Sequence, residues 1–437
     1  MFKAELSEKL AAQALAVLKL NDRGQFTAPS LGFYPHQVLW DSCFIAIGRS
    51  YDNIERAQQE ITHLLSGQWQ NGMVPHIIFS GKNNWRSSVS PLSPEAVATS
   101  GVSQPPMLAE AIVRVGERLS ADGRRIWYQK TFPSLLAYHQ WLYRERDPDG
   151  SGLVVQVHPW ETGLDDTPPC MLALNDQPLA RWLRLLKSSR LAKLGNYVRF
   201  DRKFVSLDER GSNIETLTLY DLLRRIRRQR YDSAAILRAP RFAIQDLTYN
   251  CILIRANKRL AEIAKSLGEK LPEELIQQTQ STIKALDGLW DKTTGQYYSR
   301  DFRTKKLLCQ PSFATFLPLY TGCITHEQAE RLVHLMQDQH AFGAKYPLPS
   351  VPLNSPWFNA KRYWQGPTWI NINWFIINGL EQYGFTEQAQ TLRQSTLELV
   401  AHSGCREYFD PITGEGAGVD NFSWTAALTL DLLASKN

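Results

Sequence analysis

The stretch I-L-I-R-A-N-K-R-L-A-E-I-A-K-S-L-G, Ile252 to Gly268, sets the fold class. Ile252, Ala256, Leu260, Ile263 and Leu267 recur at helical spacing, and Gly268 stands where a helix needs a left-handed residue to end. Outward from it the same period returns. Leu6, Leu10, Ala14, Val17 and Leu18 make another stripe. Thr325 with Gln328 writes a capping box before Leu332, Leu335 and Met336. The pattern predicts further helices near 52–66, 105–118, 124–143, 214–230, 272–290, 367–383, 386–401 and 422–434. Strand signals are confined to short runs near 153–157, 197–206 and 297–308, read as hairpins on connecting loops. Many helices without βαβ alternation or a fixed repeat predict an all-α architecture larger than a bundle, for which a closed double ring serves and an α-solenoid does not.

Composition narrows the function classes. The chain has 437 residues, 43% of them hydrophobic, enough to bury a large core in one domain or several. A net charge of +6 invites a nucleic-acid reading, yet the richest basic run, Leu222 to Arg230, carries apolar residues at helical spacing and reads as a solvated helix face. No nucleic-acid partner is expected. Six cysteines at 43, 170, 251, 309, 323 and 405 show no C-x-x-C pair, which fits a reduced cytoplasmic setting. No run of 18 apolar residues and no apolar leader are seen, so neither a membrane nor processing is expected. No His, Cys and carboxylate cluster has ligand spacing, so no metal or other cofactor is expected. The oligomeric state stays open.

The long irregular stretches carry the chemistry. Roughly 70–104, 144–180 and 339–366 are too long for plain connections and too rich in Trp, Pro, Gly and His for disorder, so they read as site-forming loops. One holds His158-Pro159-Trp160-Glu161-Thr162-Gly163-Leu164-Asp165-Asp166-Thr167-Pro168. Crowded carboxylates raise one another's proton affinity, as a general acid requires, although Asp165 and Asp166 could equally end a loop or cap a helix. Near the C-terminus, Glu407 stands between Arg406 and Tyr408 before a D-P-x-T-G turn. It reads either as a base held on a loop above a helix start or as the ion-pair partner of Arg406.

Six motifs together resemble glycoside hydrolase family 63: Trp40-Asp41-Ser42, Gln70 to His76, Gln104-Pro105-Pro106, His158 to Pro168, Tyr363 to Trp369, and Glu407 through Ala427. They occur in the family's order from about residue 30 to the end. Within the family the chain is similar to the bacterial glucosylglycerate and mannosylglycerate hydrolases. The resemblance implies one (α/α)6 barrel spanning 1–437 and inversion at the anomeric carbon, with Asp165 as general acid and Glu407 as general base. It places the sugar among Tyr34, Trp40, Asp41, Gln104, Trp160, Gly163, Tyr363, Trp364 and Trp369. Rings suit sugar faces, and amide or carboxylate groups suit hydroxyls. Trp374 and Trp424, on apolar helical stretches, are expected in the core instead.

Inversion needs room for a water, so the two carboxyls are expected roughly 6.5 to 9.5 Å apart. The implied substrate is a small α-glucoside or α-mannoside, glucosylglycerate first. Trehalose or a glucosylglycerol-like solute is the runner-up, and a non-catalytic helical-toroid binding protein is the rival outside enzymes. Arg199, in Tyr197-Val198-Arg199-Phe200-Asp201, is the cation the resemblance offers for a glycerate carboxylate, with an ordinary hairpin Arg as the alternative. The stretch 171–240 departs most from the family and is expected to form a cap within the barrel domain, its family elements blurred into Arg199-Phe200-Asp201 and Glu209-Arg210. Asp166 replaces an Asn common in the family, and Gln365 replaces an Arg, which is expected to alter the pocket rim. An extra carboxylate beside Asp165 either raises its proton affinity or redirects a hydrogen bond.

Overall fold

The computed structural model describes residues 4–81, 90–188, 203, 205, 206 and 209–434. Its helices are α1 (Ala4–Leu20), α2 (Leu39–Arg49), α3 (Ile54–Ser66), α4 (Leu108–Glu117), α5 (Ala121–Arg146), α6 (Pro159–Thr162), α7 (Pro168–Asn175), α8 (Arg181–Ser188), α9 (Asn213–Arg228), α10 (Ser233–Arg238), α11 (Leu247–Leu267), α12 (Glu273–Leu286), α13 (Pro318–Thr321), α14 (His326–Gln337), α15 (Ile370–Gln382), α16 (Thr386–Ser403) and α17 (Ser423–Ala434).

Helix α11 follows the expected stripe, with Ile252, Ala256, Leu260 and Ile263 buried and Gly268 left-handed at its end. The Thr325 and Gln328 capping box opens α14. The basic run lies on α9, where Leu222 and Ile226 face inward and Arg224 and Arg225 pair with Asp221. The sequence pattern misses α2. All eleven of its residues are buried, so no polar face exists to reveal a helical period. Its residues Trp40 and Asp41 sit at the helix start.

Packing closes a ring: α2 lies against α4, α4 against α11, α11 against α13, α13 against α15, α15 against α17, and α17 against α2. Around it, α1 covers α17, α3 covers α2 and α4, α5 covers α4 and α11, α12 covers α11, and α16 covers α15 and α17. Helix α14 buries Ala329, Leu332, Val333 and Met336 in the same continuous core. The fold is thus an all-α (α/α)6 toroid in which outer and inner helices alternate along the chain.

Strands among the described residues are two-residue antiparallel ladders: Gln37–Val38 with Ile77–Ile78, Ile244–Gln245 with Arg300–Asp301, Trp290–Asp291 with Gln296–Tyr297, and Tyr408–Phe409 with Gly416–Ala417. The run 153–157 contributes one bridge, Gln156 to Ile244, and not the expected hairpin. Most of 197–206, Arg199 included, lies outside the described residues. Among the described residues no helix is long and apolar enough to cross a membrane.

Candidate active site

The starts of the inner helices converge on one end of the toroid, where Trp40 and Asp41 open α2, Trp369 precedes α15, and Trp424 opens α17. Asp165 is delivered there by punctuation. His158 caps α6 by accepting the Trp160 N–H at 3.1 Å, Pro159 fills the first helical position, and Gly163 ends the turn at φ +72°. A Cβ on Gly163 would lie 3.0 Å from the Trp40 ring, so the glycine serves both backbone and pocket. Leu164 anchors the turn in the core, and Pro168 with Pro169 start the next helix, which leaves Asp165 on a short rigid bridge. Neither Asp165 nor Asp166 caps a helix. Thr167 holds the cap position of α7.

Glu161, the third carboxylate of this segment, is a strut. It accepts from Arg146 at 2.9 Å, from the Val157 N–H at 2.7 Å and from the Ser103 N–H at 3.3 Å.

Glu407 enters from a bend immediately before the strand Tyr408–Phe409. Its Oε2 accepts from Arg210 Nη2 at 2.6 Å and from the Val419 N–H at 3.0 Å, and its Oε1 accepts the Tyr34 hydroxyl at 3.1 Å. Its partner is therefore Arg210 and not the neighbouring Arg406, whose Nε lies 3.7 Å from Asp420. Glu209 completes the clamp by accepting the Tyr408 hydroxyl at 3.0 Å and the Gly418 N–H at 2.8 Å. Glu209 and Arg210 were not among the expected site residues, and the only sequence signal for them was their place in the blurred family element.

Asp165 and Glu407 share this site. Burial raises the Asp165 carboxyl to about 6, the Arg210 charge opposes the rise and the Glu407 charge adds to it. Burial also lifts Asp41 well above the carboxylate range, with Glu407 again contributing. His158 is pushed down to about 4 by burial, so its ring is neutral and acts as a cap.

The remaining expected residues fall into two layers. Tyr34, Trp160, Asp165 and Tyr363 keep part of their surface open to the cleft. Trp160 is flanked by His158 at 4.9 Å and Tyr220 at 5.7 Å. Tyr363, at φ +32°, lays its ring 3.9 Å from the Arg210 guanidinium. Behind them Trp40, Asp41, Gln104, Trp364 and Trp369 are buried. Trp364 and Trp369 stack at 3.6 Å, and Gln104 accepts the Trp40 N–H at 3.2 Å. Trp374 is core, bonded to Asp431 at 2.7 Å, and Trp424 packs beneath Trp40 and Trp369. Gln365 is buried and donates to the Asp166 carbonyl at 2.6 Å, away from any rim position. Among the described residues no group of His, Cys, Asp and Glu could hold a metal ion.

The comparisons agree with this architecture. The model of a mannosylglycerate hydrolase MGH1-like glycoside hydrolase domain matches residues 34–425. A mannosylglycerate hydrolase of Thermus thermophilus is 39% identical over 96% of this chain and 99% of its own. A glucosylglycerate hydrolase of Mycolicibacterium hassiacum is 31% identical over 97% of this chain and 98% of its own. The crystal structure of a family 63 mannosylglycerate hydrolase from T. thermophilus with Tris and D-glycerate superposes with a TM-score of 0.88 at 38% identity, over 98% of this chain and all of that one.

Proposed function

Since the chain belongs to the mannosylglycerate hydrolase MGH1-like glycoside hydrolases, we propose that it cleaves mannosylglycerate or glucosylglycerate by single displacement, with Asp165 as acid and Glu407 as base. The observation that carries this reading is the pairing of unlike carboxyls in one cleft. Asp165 is raised to about 6 with no ion-pair partner among the described residues, while Glu407 is fixed by a cation, an N–H and a hydroxyl. A carboxyl whose burial favours the protonated form suits the acid, and one held in place by three donors suits an oriented base. Asp165 protonates the glycosidic oxygen as the bond to the anomeric carbon breaks. Glu407 takes a proton from a water that attacks the opposite face, through the Oε1 lone pair that Tyr34 leaves unused.

The pocket reading follows the geometry, with Tyr34, Trp160 and Tyr363 facing the sugar and Trp40, Asp41, Gln104, Gly163, Trp364 and Trp369 holding its floor and walls. On this reading 171–240 caps the site. An acidic aglycone needs a cation near the scissile bond. Arg199 keeps that role as a candidate, and Arg210 is the cation that the described residues bring to Glu407. Six free thiols suit a reducing cytoplasmic setting.

The test is proton NMR of purified enzyme with mannosylglycerate, glucosylglycerate and a neutral α-glucoside such as trehalose. Turnover of a glycerate glycoside with release of the β-anomer is the expected result. Release of the α-anomer removes the inverting mechanism, and cleavage of the neutral glucoside alone replaces the substrate class. Asp165→Asn and Glu407→Gln should each lower kcat by about a hundredfold or more, and near-normal turnover in either removes that residue's role.

A further inference from the structure

Asp166 follows Asp165 directly on the bridge between α6 and α7. Its Oδ1 accepts the Trp364 N–H at 3.1 Å, and its carbonyl accepts Gln365 Nε2 at 2.6 Å. Its Oδ2 is buried and has no partner among the described residues, in a residue only 8% exposed. A carboxylate offers acceptors on both oxygens, and leaving one dry and unpaired is costly when the group is charged. A carboxylic acid escapes most of that cost, since one oxygen then carries the proton.

Among the described residues, the charged groups that act most on Asp166 are Asp165 on the same bridge, Arg362 from the loop before Trp364, and Arg210 from the segment before α9. Neither arginine bonds to it: Arg210 is spent on Glu407, and Arg362 reaches toward Glu215 at 3.8 Å. Burial first, and the Asp165 charge second, raise the Asp166 carboxyl to about 8.

We propose that Asp166 works as a neutral carboxylic acid, a positioning residue that clamps the Trp364 main chain through Oδ1, carries its proton on Oδ2 and places no second negative charge beside Asp165. Its significance for catalysis rests on the reading of Asp165 as the acid. In this form Asp166 reproduces the one-acceptor, one-donor pattern of an Asn amide. Asp165 then titrates beside an uncharged neighbour, and the protons of the pair leave in two steps, Asp165 first.

The experiment compares Asp166→Asn and Asp166→Ala with wild type in the pH dependence of kcat/KM on whichever glycoside the enzyme cleaves. Asn should rescue turnover to within about threefold and leave the alkaline limb in place, while Ala lowers kcat about tenfold or more through loss of the Trp364 clamp. An alkaline limb moved down by about one unit in the Asn variant overturns the proposal, because only an ionised Asp166 would have been raising Asp165. So does an Asn variant no better than Ala.

An infrared difference spectrum, wild type minus Asp166→Asn at neutral pH, reads the proton without any turnover. The expected carboxylic-acid carbonyl band fades as pH passes about 8, and its absence at neutrality overturns the proposal. Full turnover in Asp165→Asn would remove the acid reading, and the infrared band would still decide the state of Asp166.

Discussion

Arg210 Nη2 stands 2.6 Å from Glu407 Oε2, joining the segment before α9 to the bend that carries the candidate base, with 10% and 2% of the two side chains exposed. The same guanidinium covers the Tyr363 ring and favours ionisation of Asp165 across the cleft. One residue therefore fixes the orientation of Glu407 and tunes the proton affinity of Asp165.

Arg210→Gln should have two separable effects. Losing a buried charge-assisted bond costs about 1.5 to 3 kcal/mol, or roughly tenfold to a hundredfold in kcat/KM. Removing the cation also takes away what favours the ionised form of Asp165, so that carboxyl rises above its value of about 6. Because the acid must be protonated, activity should then persist to higher pH. The check is the alkaline limb of kcat/KM, and a limb that stays in place would show that Arg210 does not act on Asp165.

What the sequence reveals follows from where burial is one-sided. Helix α11 showed its period because its outer residues are polar, whereas α2 is buried all round and left no trace, although it carries Trp40 and Asp41. Asp165 was legible because His158, Pro159, Gly163 and Pro168 punctuate its loop and because the family motif surrounds it. The partner of Glu407 was not legible. Glu407 lies in a bend just before the strand Tyr408–Phe409, where Arg406 reaches toward Asp420 and the pairing falls to Arg210, 197 positions distant. The contact between Asp166 and Trp364, 198 positions apart, was equally hidden.

Glu110 tests the scaffold apart from the site. It is 1% exposed and accepts from Arg114 at 3.0 Å, Arg255 at 3.2 Å and Arg259 at 2.8 Å, tying α4 to α11. These guanidiniums outweigh the opposing effect of burial and hold its carboxyl far below the usual range. Glu110→Gln strands three partly buried cations and should cost about 3 to 5 kcal/mol of stability. The pH sign follows from the depressed value. The contribution is complete above the unfolded carboxyl value of roughly 4.3 and fades as pH falls below it. Urea unfolding should therefore show a gap between wild type and variant at pH 7 that narrows toward pH 3, and a gap independent of pH would contradict the assignment.

Gly418 should be the most sensitive small residue near the site. Its φ of +67° is disfavoured for any side chain, and a Cβ there would lie 2.5 Å from the Tyr408 ring and 2.6 Å from Glu407 Oε2. Its N–H also donates to Glu209 at 2.8 Å, so the backbone cannot shift freely to make room. In Gly418→Ala the strand and the Glu407 carboxylate must move instead. The backbone penalty alone is on the order of 1 to 2 kcal/mol, which a core of this size tolerates. A displacement of about 1 Å at a reacting group costs up to a hundredfold in rate. The variant should therefore remain folded, with kcat reduced about tenfold to a hundredfold and KM changed far less, because Tyr34, Trp160 and Tyr363 are untouched. Steady-state kinetics with a thermal melt separates the cases: a folded variant with near-normal kcat would mean that Glu407 does not depend on the position Gly418 leaves for it.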